Sequence, residues 1–235
     1  MKNIIITLWS HDRLLIMVFL YFFSSHFAMA GGVVIGGTRV VYLSDKKEVS
    51  VSVNNLEKES VYLIQSWIQD ENEKTKTPFI VTPPLFKLPA NNENILRIIK
   101  VGDGLPMDRE SIFWLNVTSI PETVKSSADV NQLQIVVNSR LKLFYRPTQL
   151  EENSGEAYKH IKFRKENGVL IAENSTPYFI SLSHLKVDGK EIEGAGMINP
   201  FSQSSWPFPV KNAKNVSWKG INDYGGVTQE ELADL

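Results

Sequence analysis

The chain has no cysteine among its 235 residues. That absence excludes a disulfide-stapled scaffold, thiol nucleophiles, CxxC redox chemistry and cysteine-ligated zinc. Burial alone must hold the fold together. There is no excess of charge of either sign: 25 Lys and Arg against 26 Asp and Glu leave a formal net charge of −1. A nucleic-acid binder normally carries a basic surplus or stripe. Histidine is scarce. His11 and His26 lie in the N-terminal segment, and His160 and His184 stand alone in strand-like contexts, without HExxH or comparable ligand spacing. No GxSxG, GxxxxGK[ST] or GxGxxG occurs. The carboxylate pairs Glu151-Glu152 and Glu230-Glu231 fall in a polar linker and a tail, where solvation accounts for them. This census speaks against an enzyme, and no metal or cofactor is expected.

One long apolar run is present, Leu14 to Phe23. Lys2 and Arg13 precede it and Ala28-Met29-Ala30 follows. A basic start, a short apolar core and a small-x-small triplet form a secretory signal, with cleavage expected after Ala30. The core is too short to span a bilayer comfortably. The remainder, 31–235, is long enough for two modest domains.

What the sequence does have is β patterning. Val33 to Tyr42, Glu48 to Asn55, Val61 to Gln69, Ile95 to Val101, Ile112 to Ile120 and Leu133 to Tyr145 are rich in Val, Ile, Leu and aromatics. Val49, Val51 and Val53 alternate with Ser50, Ser52 and Asn54, the period of a half-buried strand. Pro83-Pro84, Gly102 to Pro106 and Pro121 punctuate these runs, and Gly36-Gly37 reads as a bulge. The polar stretch Thr148 to Glu156 reads as a linker. Further strands are expected at Tyr158 to Arg164, Val169 to Glu173, Tyr178 to Val187, Glu191 to Ile198 and Val216 to Asn222, with Asn167-Gly168 and Asp188-Gly189 as hairpin turns. The predicted fold class is all-β: a first sandwich over 31–147, a linker over 148–156 and a smaller second sandwich over 157–235.

Several clusters are too specific to be filler. In order they are Thr38-Arg39-Val40-Val41-Tyr42, Gln65-Ser66-Trp67, Pro78 to Phe86, Asp108-Arg109-Glu110-Ser111 leading into Phe113-Trp114-Leu115-Asn116, Lys142 to Pro147, and Ile221 to Gly226. Taken in this order they resemble the periplasmic pilus-assembly chaperones of chaperone/usher systems, the PapD-type family. The resemblance covers nearly the whole mature chain.

That resemblance implies two immunoglobulin-like domains in an L or boomerang arrangement, located in the periplasm. It implies a chaperone that binds and caps fimbrial (pilin) subunits and passes them to an outer-membrane usher, without catalysis. The subunit lacks its last strand, and the chaperone supplies one of its own. On this chain the donated strand is Gln132 to Leu141, with Leu133, Ile135 and Val137 as the side chains that fill the subunit groove. Arg39 and Lys142 would bind the subunit's C-terminal carboxylate. Glu110, Arg146 and Asp223 would form ionic contacts between the domains.

Two points stay open at this level. Alternation alone would turn Leu133, Ile135 and Val137 toward their own domain's core. Lys142 also has the opposite parity to these three, which calls for a bulge or a strong twist between Val137 and Lys142. The modest segment between Pro121 and Leu133, with no flanking cysteine pair, favours the short-loop branch of the family. The ending VTQEELADL leaves open how the second sandwich closes. A secreted adhesive β-sandwich, such as a fimbrial subunit itself, is the alternative reading, and whether the free protein self-associates is not legible.

Overall fold

A computed structural model describes residues 32–123, 133–151, 153–207 and 213–235. The expected signal segment, 1–30, and Gln132 lie outside the described residues. The first sandwich contains β1 (Val33–Ile35), β2 (Arg39–Leu43), β3 (Glu48–Asn55), β4 (Tyr62–Gln69), β5 (Phe79–Thr82), β6 (Leu85–Leu88), β7 (Glu93–Lys100), β8 (Ser111–Pro121) and β9 (Val137–Arg146). One sheet runs β1-β3-β7-β5 and the facing sheet β2-β9-β8-β4-β6.

Alternation on β3 works as its sequence predicts. Val51 and Val53 are buried, Val49 packs against the same core, and Ser50 faces out. Facing them across the core are Ile64, Leu115, Val117 and Leu143, all at 0% exposure. Each such side chain stabilises the fold by about 1.5–3 kcal/mol relative to an exposed position. Tyr42 anchors one end of the core. Its ring packs edge-on against Phe79 at 5.3 Å, and its hydroxyl donates to the carbonyls of Lys46 and Lys47.

Two features of this half differ from the sequence reading. Gly36-Gly37 is not a bulge but the crossing point at which the chain leaves the β3 sheet (β1) and enters the opposite one as β2. Gly36 lies so close to Ser52 that a Cβ there would meet Ser52 Oγ at 2.5 Å, and Gly37 has φ +96°. Close approach and a left-handed backbone are what glycine permits. The Pro83-Pro84 breaker separates two short strands, β5 and β6, that sit in different sheets, and the Thr82–Pro83 peptide is cis.

The second sandwich begins with a single 3₁₀ turn (Ala157–His160) where a strand was predicted. It continues with β10 (Lys162–Glu166), β11 (Val169–Asn174), β12 (Ile180–Val187), β13 (Lys190–Glu191), β14 (Met197–Ile198), β15 (Ser202–Pro207), β16 (Asn215–Gly220) and β17 (Glu231–Asp234). Sheet β10-β11-β15 faces sheet β13-β12-β16-β17, with β14 also pairing with β12. Asn167-Gly168 and Asp188-Gly189 form the expected two-residue hairpins, with φ of 49° and 78°, then 47° and 78°. Both residues left-handed is the conformation that favours Asn-Gly and Asp-Gly.

A separate core gathers Leu170, Leu185, Val187, Ile198, Val216 and Trp218. The Trp218 indole N–H donates to the Tyr158 carbonyl at 2.8 Å, which satisfies the polar end of a buried ring and ties down the 3₁₀ turn. The acidic ending closes the sheet: β17 pairs antiparallel with β16, from Asn215↔Asp234 to Trp218↔Glu231.

Candidate functional site

The site is built on β2 and β9, which run parallel with Arg39 opposite Lys142 and Leu43 opposite Arg146. Strand alternation divides their side chains between two faces. Val40, Tyr42, Leu141, Leu143 and Tyr145 enter the first core. Lys142, Phe144 and Arg146 lie on the other face, as does Arg39, and there they meet the second sandwich. Phe144 is buried with its ring 5.7 Å from Phe179. Lys142 Nζ donates to Ser181 Oγ at 3.0 Å, and Arg39 Nη1 donates to the Ile221 carbonyl at 3.0 Å.

Both cations are half-buried, and in each case the acceptor is a neutral oxygen. Burial, and then the neighbouring Arg39 charge, bring the Lys142 ammonium down to about 8 from 10.5. Burial also lowers Arg39, against the pull of Asp223 and Glu110. Arg39 Nε is buried with no hydrogen-bond partner among the described residues. Two adjacent desolvated cations, one with an unsatisfied N–H, can do one thing well: bind an anion. A carboxylate suits a guanidinium fork beside an ammonium through charge-assisted hydrogen bonds.

Four residues further along the same face is the trio of opposite charges. Arg146 Nε donates to Glu110 Oε1 at 2.6 Å, while its Nη1 and Nη2 donate to Asp223 Oδ2 and Oδ1 at 2.7 and 2.8 Å. Glu110 Oε2 accepts the Phe179 backbone N–H at 2.8 Å, and the Glu110 N–H donates to the Pro177 carbonyl at 2.9 Å. Glu110 thus touches the second sandwich through both backbone and side chain. Burial pushes its carboxyl up, against the pull of Arg146. Hydrogen bonding to Arg146 holds Asp223 down. Burial alone would lower Arg146, but Asp223 and Glu110 together raise it.

Leu133, Ile135 and Val137 are 88%, 68% and 54% exposed. They do not face their own core. Leu133 to Val136 precede the strand, which starts at Val137 and pairs with β8 from Ser119↔Val137 to Ser111↔Tyr145. On its other side β9 is covered by β2 only from Lys142 to Arg146. The backbone edge of Val137 to Leu141 has no strand partner among the described residues. It is an open sheet edge that starts with the exposed Val137 and is preceded by two exposed apolar side chains of the same parity, Leu133 and Ile135.

The parity break between Val137 and Lys142 needs no bulge. The β8–β9 ladder runs without a register shift. Leu133, Ile135 and Val137 share the parity of the core-facing Leu141, Leu143 and Tyr145, so they continue the core side of the sheet beyond its end. Lys142 belongs to the opposite side, toward the second sandwich. Opposite parity is therefore what a strand serving two faces requires.

Both halves of the chain match models of one protein family. Residues 32–151 match the pili and flagellar-assembly chaperone PapD N-terminal domain, and residues 156–232 match the pili assembly chaperone PapD C-terminal domain. The chain belongs to the PapD family of pilus-assembly chaperones.

Within this family it is 41% identical to the probable fimbrial chaperone LpfB of Escherichia coli O157:H7, over 88% of this chain and 90% of that one. Among solved structures, a chain of the Salmonella enterica SafA pilin–SafB chaperone complex superposes with a TM-score of 0.80. It has 29% identity and covers 87% of this chain and 96% of that one. The periplasmic chaperone SfaE superposes at 0.73, with 37% identity over 86% of this chain and 98% of that one. This is a family of non-enzymatic assembly chaperones, and its fimbrial homologues are periplasmic. No helix among the described residues is long and apolar enough to cross a membrane. The two-domain match sets aside the reading as a fimbrial subunit.

Sequence reasoning did not find the second-sandwich side of this chaperone's site. Ser181, 3% exposed, and the Ile221 carbonyl hold the two cations, and the Ile221 N–H donates to the Ser181 carbonyl at 2.9 Å. Ser181 sits in an ordinary strand run, and a backbone carbonyl has no signature in the sequence.

Proposed function

We propose that this chaperone binds pilin subunits in the periplasm by strand addition and passes them to an outer-membrane usher. The Val137 to Leu141 edge, extended upstream toward Gln132, supplies main-chain hydrogen bonds. Leu133, Ile135 and Val137 fill the subunit groove, while Arg39 and Lys142 bind the subunit's C-terminal carboxylate. Fixing that terminus sets the register of strand pairing, because a one-residue slip would present the wrong face. Glu110, Arg146 and Asp223 act between the domains. We assign 31–147 and 157–235 as the two domains with 148–156 as linker, cleavage of the signal after Ala30, and membership of the short-loop branch.

The observation that carries this reading is the coincidence on β9 of an open strand edge, exposed same-parity apolar residues and Lys142, which forms a desolvated cation pair with Arg39 of the adjoining β2. Co-expression with a subunit in periplasm tests it. Arg39→Ala and Lys142→Ala should each leave the chaperone folded but abolish co-purification of the subunit. Wild-type yield of complex from both variants would sink the carboxylate anchor.

The Lys142 shift adds a pH dependence. Below about pH 8 the ammonium is already charged in the free protein, and affinity for a carboxylate should be flat with respect to this group. Above that pH, binding must take up a proton, so affinity falls by up to about tenfold per pH unit until the pKa of the complex is reached. Lys142→Met should remove the slope. In the free protein the linkage has the other sign: burying the charged ammonium disfavours folding below about pH 8, and that penalty fades as pH rises toward the unfolded value. A wild-type affinity that stays constant from pH 7 to pH 9.5 counts against Lys142 as a ligand.

A further inference from the structure

Arg39 and Lys142 share their surroundings with a carboxylate of this same chain. Asp223 follows Ile221, whose carbonyl accepts from Arg39, by two positions. It lies in a turn closed by Asn222 N–H to Gly226 O at 2.9 Å and Gly225 N–H to Asn222 O at 3.0 Å. That turn rests directly on Thr38, beside Arg39. A Cβ built on Gly225 would collide with Thr38 Oγ1, and Gly225 has φ +84°. Asp223 is thus carried to the edge of the cation pair, and Arg39 adds to the effect of Arg146 in lowering its pKa.

Asp223 does not pair with Arg39. Both of its oxygens are taken by Arg146, and Ser154 Oγ donates to Oδ2 at 3.3 Å. Glu110 is held from two sides, by Arg146 Nε and by the Phe179 N–H. At this junction three cations, Arg39, Lys142 and Arg146, stand against two carboxylates, leaving one net positive charge.

Without Arg146 the two sides would cancel. The Asp223 carboxylate would then be free to bond Arg39 itself. A carboxylate on the same chain competes with an incoming ligand at an effective concentration of about millimolar or more. Such competition from inside would empty the site of its function while leaving Arg39 and Lys142 in place.

We infer that Arg146 is a positioning residue that keeps the Arg39–Lys142 pair open to an external carboxylate by holding Asp223 away from Arg39. This inference rests on the reading of that pair as a carboxylate anchor. Its role differs from joining the two sandwiches, since a purely structural link would be weakened further by removing Asp223, whereas a masking link would be relieved.

The test is a mutant cycle with a peptide of about ten alternating apolar and polar residues, matching one strand addition. The peptide is made with a free C-terminal carboxylate and, separately, with a C-terminal amide. Kd is measured for wild type, Arg146→Gln, Asp223→Asn and the double variant, with a thermal unfolding curve for each. Wild type should prefer the free carboxylate. Arg146→Gln should lose about tenfold or more of that preference, and the double variant, its net charge restored, should return to within about threefold of wild type. Asp223→Asn alone should keep or sharpen the preference.

A double variant as weak as Arg146→Gln overturns the inference, as does a reduced preference in Asp223→Asn. Should Arg146→Gln fail to fold, Asp223→Asn decides alone, because the masking and structural roles predict opposite signs for it. A wild type that does not distinguish carboxylate from amide removes the anchor itself and the inference with it. Loss of rescue with wild-type preference intact removes only the role of Arg146.

Discussion

Replacing Leu133, Ile135 and Val137 together by serine should abolish capture of a pilin subunit while leaving the chaperone's own stability unchanged within about 0.5 kcal/mol. The asymmetry follows from their exposure. All three are more than half exposed and contribute nothing to either core, so the folded chaperone does not need them. In a complex each would contribute about 1.5–3 kcal/mol when fully buried, less the ordering of the strand that carries them. Even a combined loss of about 3 kcal/mol weakens Kd more than a hundredfold.

Val136→Ser is the internal control. Val136 is 50% exposed and equally apolar, but has the opposite parity. It should bind nearly as wild type. Pull-down from periplasm and urea unfolding measure the two effects separately. Equal damage from Val136→Ser and from the single substitution Ile135→Ser would mean that the segment binds by general hydrophobicity, not by an alternating strand.

Glu110→Ala should destabilise the chaperone by about 3 kcal/mol, near the low end of the ~3–5 kcal/mol cost of breaking a buried ion pair. Glu110 is 3% exposed. Its removal strips Arg146 of one partner and leaves the Phe179 N–H without its acceptor, a further penalty for a buried donor. Arg146 retains Asp223, which keeps the loss from reaching the upper end of the range. Glu110→Gln should cost less, because its amide oxygen can still accept one of the two bonds. Chemical unfolding followed by tryptophan fluorescence reads the difference. A Glu110→Ala variant within about 1 kcal/mol of wild type, the scale of an exposed pair, would show that this contact is no stronger than a surface ion pair.

Much of the β architecture was legible because it depends on local rules. The Val49-Val51-Val53 alternation, the Asn167-Gly168 and Asp188-Gly189 hairpins and the strands at 62–69, 111–121 and 180–187 follow from period-two burial and from the left-handed turn positions that Asn, Asp and Gly tolerate. The misreadings share a cause. Gly36-Gly37 signals a break in a strand, but not that the two pieces belong to opposite sheets. Tyr158 is apolar enough for a strand, yet it lies in a 3₁₀ turn, where its carbonyl accepts from the Trp218 indole sixty positions away in the chain. β15 and β17, made of polar and acidic residues, are strands because β11 and β16 offer edges to pair with.

The sequence by itself determined the composition that rules out disulfide and thiol chemistry, the strand periodicities, and the ordered motifs that place the chain in its family. It also determined the parity of the Leu133 to Lys142 run, since side-chain alternation is a property of any extended chain. Only the tertiary structure decided what that parity means. Leu133 and Ile135 are exposed because β9 begins only after them, and Val137, the first residue of β9, lies at the uncovered end of the sheet. Lys142 and Arg39 become desolvated neighbours because β2 aligns parallel to β9 and the second sandwich covers their face. Burial and charge proximity are sums over residues distant in the chain, and no local pattern encodes them.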